Sequence, residues 1–397
     1  MRRRARPAVS SQDKVNSFLG ERLDQGPEGA YEALQLLRGQ VQRSLKQQAF
    51  QGALDTSRQG ALQLLKRGFV ASGAALALQV VEVLQAAEAV NSSATAVSPA
   101  TAVSPGLEFE ASLAALEEID AAFKQAEIDK PLDKSAEGLA RARDDATERC
   151  RVAKAAVKWT RARKQVGSYV LGEPRVHALA AEAQWRLARA VFDLEASQAT
   201  SASASGGGSE GVGDPLKHLA AAEAALRHQV LAEQPELLAG WLSGNASETK
   251  LQVFSPVGSS KQMVRRDRAC ACLRVVLQFC AVENLRDGNL FWAALTSSSS
   301  QGGSQGGLPE GEATKTAPLV VIPYLLKTCE YDAPDLFNEL KSKMGDGALA
   351  QGSGMVGPGA VNCGALVRAI GQKFFNIAPP PDMMASLLSM FTAGDDE

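Results

Sequence analysis

A chain of 397 residues with a formal net charge of −2 is long enough to bury a large core, and it has no basic surplus with which to hold nucleic acid. Hydrophobic residues make up 45% and aromatic residues only 5%. The apolar faces are carried by alanine and leucine, which suits packed helices and argues against disorder or a β-sandwich. Six cysteines (Cys150, Cys270, Cys272, Cys280, Cys329, Cys363) form no CxxC pair and have no histidine at metal-finger spacing, so reduced thiols in a core are expected.

The opening MRRRARPAVSS predicts a disordered basic tail over 1–13, with an organelle transit peptide as the other reading of its arginines. Val15, Phe18, Leu19 and Leu23 suggest a short first helix that stops at the Gln25–Pro27 turn. Tyr31 to Glu88 then reads as three amphipathic helices. Tyr31, Leu34, Leu37, Val41 and Leu45 mark the first; Ala53, Leu54, Ser57, Ala61, Leu64 and Leu65 the second; Leu76, Val80, Val83, Leu84 and Ala87 the third. Gly68 stands where a helix C-terminus takes glycine, and Gly52, Gly60, Ser72 and Gly73 are small enough for close backbone approach. Gln79 and Glu82 interrupt the third helix, so no apolar run is expected to span a bilayer. This pattern predicts an all-α chain, a right-handed α-solenoid of helical hairpins with TPR-like repeats.

A tandem ATAVSP repeat fills an insertion at 91–106, and its Ser98-Pro99 and Ser104-Pro105 are possible phosphorylation sites. Helices are predicted for Leu107–Ile128, which Pro131 breaks, and for Ser135–Thr160. The next helix enters through Gly172 and Pro174. A Ser/Ala/Gly linker over 196–213 divides the chain into an N-terminal half (14–195) and a C-terminal half (214–391). The second half holds one strongly apolar helix within Arg265–Asn289, a low-complexity insertion at 297–316, and a helix over Pro318–Cys329. Leu336, Leu340 and Met344 pack the next helix, and LVRAIGQKFF makes the last. Leu251–Phe254 is a strand fragment or loop. Met383, Met384, Leu387, Leu388, Met390 and Phe391 form an apolar stripe beyond Pro381, before an acidic tail over 392–397.

No catalytic constellation emerges. GGGSEGVG lacks the Gly-Lys-Ser/Thr ending of a phosphate loop, and neither GxSxG nor HExxH occurs. His177 has no Cys, Ser or Asp partner and reads as a capping or packing residue. His218 and His228 are ten residues apart on one helix, too far for shared coordination. A non-enzymatic chain with no cofactor and no metal, acting by surface recognition, is expected.

Several blocks carry a resemblance. The runs YEALQ, AFQGAL, QGALQLLKRG, SGAALAL and VVEVLQAAE, then Lys158-Trp159, Gly172-x-Pro174-x-x-His177 and Trp185 are similar to the Golgi-to-ER traffic protein four family. So are the Val-Leu-Gln-Phe-Cys run of Val276–Leu285, the Pro-Leu helix start at Pro318, and Gly371-Gln372-x-Phe374-Phe375-x-Ile377-x-Pro379. The resemblance runs from about Tyr31 to Phe391. It implies a cytosolic scaffold of the guided-entry pathway for tail-anchored membrane proteins, with no membrane span of its own. Its N-terminal half would hold the targeting ATPase and its C-terminal half a ubiquitin-like adaptor, which recruits a client-loaded co-chaperone.

The resemblance also assigns residues. Tyr31, Lys46 and Glu82 take the places of the ATPase face, while Ala75 stands where the family carries a second acid. Val276, Phe279, Leu319, Ile322, Phe374 and Phe375 are the adaptor-face candidates, with the Met/Leu stripe as a further apolar patch; the Ser/Gly-rich 297–316 is poor material for the adaptor-clasping hairpin of some fungal members. From the residues alone, Tyr31 reads equally as a core aromatic, Lys46 and Glu82 as solvated charges, and the six apolar candidates as core. A generic helical-repeat adaptor in another complex and an organelle-imported helical enzyme accessory are the alternative functions.

Overall fold

The computed structural model describes residues 20–95, 107–130, 133–163, 171–204, 217–243, 252–297, 316–351 and 363–378. They form two compact units, 1–212 and 213–397. Helix is the regular secondary structure of both.

Unit 1 holds α1 (Pro27–Lys46), α2 (Phe50–Lys66), α3 (Val70–Thr95), α4 (Phe109–Ile128), α5 (Ala136–Ala162) and α6 (Pro174–Ala204). Each packs on helices one or two places along the chain: α1 on α2 and α3, α2 also on α3 and α4, α3 also on α4 and α5, and α4 and α5 on α6. Local stacking of this kind is how helical-repeat proteins build a core. The predicted stripes supply that core, with Leu34, Leu37, Val41, Leu54, Leu64, Leu65, Leu76, Val80 and Leu84 all buried. Gly60 lies inside α2, where a Cβ would come within 2.6 Å of Leu37 and 2.8 Å of Leu76, so its lack of a side chain lets three helices converge. Gly52 has open space around its Cβ position, and the close approach expected there is absent.

Unit 2 holds α7 (Lys217–Leu231), α8 (Pro235–Leu242), α9 (Lys261–Ala281), α10 (Leu285–Ser297), α11 (Ala317–Glu330), α12 (Pro334–Gln351) and α13 (Cys363–Phe375). Its hub is α9, which contacts α7, α8, α10, α11 and α13. Every residue of α9 from Arg268 to Cys280 is buried, Arg268, Arg274 and Gln278 included, because neighbouring helices enclose it. Val253 and Phe254 are buried in a helical turn rather than a strand.

One turn recurs. After α1, α2, α9 and α11 a single residue takes positive φ: Gln48 (57°), Gly68 (80°), Glu283 (63°) and Asp332 (47°). In each case its N–H, and that of the next residue, donate back to carbonyls of the last helical turn, as in Gln48 to Leu45 (3.0 Å) and Ala49 to Ser44 (2.9 Å). These are Schellman turns, which satisfy the orphan C-terminal carbonyls and start the next helix almost at once.

Some expectations are revised. The Arg265–Asn289 region is two helices split at Val282–Asn284, because an αL glutamate breaks the apolar run. The helix α3 continues to Thr95 and α6 to Ala204, into stretches read as insertion and linker, since alanine and serine do not stop a helix. Val70–Val90 is, by length and composition, apolar enough to cross a membrane, against the expectation from Gln79 and Glu82. Most of that helix is buried against α1, α2, α4 and α5. Leu336, expected to pack α12, is 58% exposed. Residues 1–13, the SerPro repeats, the Met/Leu stripe, Met344 and the acidic tail lie outside the residues whose side chains are described.

Candidate functional site

The first candidate face begins at the entry of α1, where Pro27 fills the first helical position and needs no hydrogen-bond partner for its nitrogen. Leu34, Leu37 and Val41 turn inward, and Tyr31 is 60% exposed. Tyr31 is therefore not a core aromatic. Lys46 is exposed at the last residue of α1, where its charge also suits the helix C-terminus. Fifteen residues separate the two, which places them within about 60° of one another around the helix and about 22 Å apart along it.

On α3, Glu82 is exposed between the buried Val81 and Val83. Ala71, Ala75, Leu78, Glu82, Gln85 and Ala89 form the accessible strip of this helix. Ala75 and Glu82 lie two turns apart on it, within about 20°. An acid at position 75 would thus share the side of α3 that Glu82 occupies, and this chain presents a methyl there. No hydrogen bond or ion pair among the described residues joins Tyr31, Lys46 and Glu82.

The apolar candidates in unit 2 divide sharply. Val276, Phe279, Leu319 and Ile322 have no exposed surface at all. Phe279 stacks near Phe291 with ring centroids 6.3 Å apart, and α9 and α11 pack directly on each other. These four side chains are core, which corrects the expectation that they face a partner. A motif match cannot separate the two cases, because an apolar residue suits either. Phe374 and Phe375 are half-buried at the end of α13. Phe375 lies 4.7 Å from the Phe337 ring of α12 and 6.2 Å from Phe374.

The surface near them holds residues that sequence reasoning missed. Tyr324 is 61% exposed, Tyr331 75% and Leu336 58%. Tyr324 lies in the middle of α11 and Tyr331 is its C-cap residue. Neighbouring Leu325 and Leu326 are buried. The available signal was the phase of that helix: the positions flanking the Leu-Leu pair face away from α9.

The histidines and cysteines serve the fold. His177 is fully buried, and its Nε2 donates to the Leu171 carbonyl at 2.8 Å. Gly172 permits this loop geometry, since its φ is +107° and a Cβ would sit 3.0 Å from that nitrogen. His218 makes the equivalent bond to the Ser255 carbonyl at 3.0 Å. All six cysteines are buried, and none is in a disulfide. Burial pushes the Cys150 thiol up to about 12, and a hydrogen bond with Cys329, together with burial, pushes Cys280 well above the usual thiol value. No group of three His, Cys, Asp or Glu side chains suited to a metal occurs among the described residues.

The arrangement is thus two surfaces, one charged with an exposed tyrosine and one apolar and aromatic. No match was found among curated proteins. Among solved structures, the crystal structure of C. therm. Get4 is similar at 22% identity and a TM-score of 0.55, over 96% of each chain; at that identity the likeness speaks for the fold. The sequence model of Golgi to ER traffic protein 4 matches residues 47–392. That range includes Glu82 and the whole of unit 2 up to position 392, while Tyr31 and Lys46 precede it. The chain belongs to the Golgi to ER traffic protein 4 family.

Proposed function

We propose that this chain is a non-enzymatic cytosolic scaffold, bridging a targeting ATPase on unit 1 and a ubiquitin-like adaptor on unit 2 for handover of tail-anchored proteins to the ER membrane. The family match over residues 47–392 carries the reading; it ties the chain to Golgi-to-ER traffic and the tail-anchored pathway. A scaffold of this kind works by raising the effective concentration of donor and acceptor, which needs two recognition surfaces and no reacting group.

Glu82 anchors the ATPase face, with Tyr31 and Lys46 contributing from α1. Their exposure is the condition for that role, and all three meet it. The adaptor face is centred on Phe374 and Phe375 and extends to Tyr331 and Leu336, because Val276, Phe279, Leu319 and Ile322 have no surface to offer. One observation favours a second reading, a generic helical-repeat adaptor that has lost the ATPase: Ala75 leaves Glu82 as the single acid of its strip.

A binding titration against the targeting ATPase of the same organism, with and without ATP, separates them. Nucleotide-dependent binding that Glu82→Arg abolishes is the expected result. Binding indifferent to the reversal would move the face off α3, and no binding at all would favour the generic adaptor.

A further inference from the structure

The outward side of α5 carries a row of cations. Arg151, Lys154, Lys158 and Arg161 are exposed, while Ala153, Val157 and Thr160 beside them are buried. Spaced three, four and three residues apart, they share one side of the helix over about 15 Å of its length. Arg151 has Glu148 next to it at 3.2 Å, and the Arg161 Nε donates to the Leu171 carbonyl at 2.8 Å. Lys154 and Lys158 pair with no acid among the described residues, and the sequence holds no acid between Glu148 and Glu173. Like charges three and four residues apart work against a helix, so helix stability does not account for the row.

The helix α5 packs directly on α3, and contacts at two ends fix their register. At one end Lys130 touches both: its Cε lies 3.7 Å from a Cβ placed on Gly68, and its Nζ pairs with Asp145 at 2.6 Å. At the other end Glu88 pairs with Arg163 at 3.4 Å. Position 68 is thus level with 145 and position 88 with 163, so the two helices run in the same direction, offset by about 76 residues. On that register Ala75, Leu78, Glu82 and Gln85 of the accessible strip of α3 stand abreast of Arg151, Lys154, Lys158 and Arg161 in turn. The buried sides of both helices face the core of unit 1, so the two strips open on the same side.

This surface has a definite charge pattern. Four cations stand in a row, and one helix spacing away, about 8–10 Å, a single carboxylate, Glu82, lies level with Lys158. A uniformly anionic lipid surface would meet Glu82 with repulsion. None of the exposed large apolar side chains of unit 1 (Tyr31, Leu36, Ile128, Leu171) belongs to either strip to enter such a surface. A folded protein can present both signs at set places.

We propose that the α5 row is the second half of the α3 interface and takes a row of carboxylates on the partner that docks at Glu82. It rests on unit 1 being the ATPase face, as proposed above, and adds the chemistry of the partner's surface. That surface is acidic along about 15 Å, with a basic residue one helix spacing to the side, opposite Glu82. The cations steer the encounter and so act mainly on the association rate.

Stopped-flow association of the full chain with the targeting ATPase of the same organism, with ATP, tests this in salt from about 50 mM to about 0.5 M. Wild type should associate fastest at low salt. Lys154→Glu/Lys158→Glu, at exposed positions and with an unchanged melting curve, should associate at least about tenfold more slowly at low salt and with a flatter salt dependence. Lys154→Gln/Lys158→Gln should fall between the two, and Lys154→Arg/Lys158→Arg should keep the wild-type rate and slope. A double reversal that matches wild type in rate and slope overturns the proposal. If Glu82→Arg still abolishes binding in that series, the ATPase face stands and only the row is misplaced. No association by wild type overturns both. Vesicles containing about one-fifth phosphatidylserine are the counter-test. Vesicle binding that the double reversal abolishes, with ATPase association unchanged, would give the row to a membrane and overturn the protein assignment.

Discussion

The two units hold their surfaces together differently. In unit 1, ion pairs reach between elements: Arg175 clamps Glu110 and Glu117 at 2.7 and 2.8 Å, Arg186 pairs with Glu127 at 3.2 Å, Lys130 with Asp145 at 2.6 Å, and Arg58 with Glu118. In unit 2, Arg274 pairs with Glu223 and Lys373 with Glu283. Unit 2 exposes Leu237, Met263, Leu290, Tyr324, Tyr331 and Leu336, where unit 1 exposes Tyr31, Leu36, Ile128 and Leu171. Exposed ion pairs add little stability each, so the contrast concerns recognition more than folding. A surface covered with paired charges selects partners by charge and register, whereas exposed tyrosine and leucine supply the contact area that carries binding energy.

The contrast breaks first where each unit buries charge. Arg149 and Asp120 pair at 2.8 Å with 5% and 8% of their side-chain surfaces exposed, and Arg274 pairs with Glu223 at 4% and 3%. Asp120 also receives Lys124 at 3.2 Å, while both terminal nitrogens of Arg149 are buried without a partner. Removing one carboxylate breaks a buried ion pair from one side, so Asp120→Ala and Glu223→Ala should each cost about 3–5 kcal/mol. Denaturant titration followed separately in each unit should show Asp120→Ala lowering the midpoint of unit 1 and Glu223→Ala that of unit 2. A shared shift in both midpoints would mean that the two units unfold as one.

Phe279 and Tyr331 sharpen the division within unit 2. Phe279→Ala removes a ring with no exposed surface and should cost about 3–5 kcal/mol of stability. Tyr331→Ala, at 75% exposure, should change stability by no more than about 0.5 kcal/mol and should weaken adaptor binding. Calorimetry for stability and titration calorimetry for binding separate the two effects. Equal losses of binding at unchanged stability would return Phe279 to the interface.

The fold was largely legible because its helices repeat apolar residues at helical spacing and end in short turns. Gly68 announced its turn, whereas Glu283 did not. An αL position held by glutamate carries no sequence signal, so the split between α9 and α10 was invisible inside a continuous apolar run. The charged face was legible for a different reason. Glu82 is flanked by Val81 and Val83, and a charge inside an apolar helix has to point outward. The apolar face was not, because Val276 and Tyr324 are both compatible with core and surface until the helix phase relative to α9 is known. The Ser/Ala stretch after Ser197 resembled a linker by composition, yet alanine continues a helix that has already started.

Cysteine titration probes the core of unit 1 without disturbing its surface. Burial holds the Cys150 thiol at about 12, against an ordinary value of 9.0. Above pH 9 the unfolded chain releases this proton while the folded chain retains it, so the unfolded state binds fewer protons and stability falls as pH rises. The contribution is complete below pH 9 and disappears progressively between 9 and about 12. Cys150→Ala should flatten that part of the pH profile, measured as the midpoint of unit 1 at pH 8 and pH 10.5. An unchanged slope would assign the alkaline loss to other groups.

The smallest expected effect concerns the turns that both units share. Gln48 occupies with a side chain the conformation that Gly68 occupies without one, at φ of 57° and 80°. A Cβ in the left-handed region costs about 1 kcal/mol, and glycine gives back part of that gain through the greater entropy of the unfolded chain. Gln48 is exposed, and the turn's two backbone hydrogen bonds do not involve its side chain. Gln48→Gly should therefore stabilise unit 1 by a few tenths of a kcal/mol, at most about 1. Gly68→Ala should destabilise the same unit by about 1 kcal/mol. Opposite signs at two equivalent positions of one unit would show that the recurring turn is set by backbone geometry, and that the non-glycine residues are tolerated because the packed helices on either side fix that geometry. If both substitutions destabilised unit 1, the Gln48 side chain would have to make a contact in the folded state that outweighs its conformational strain.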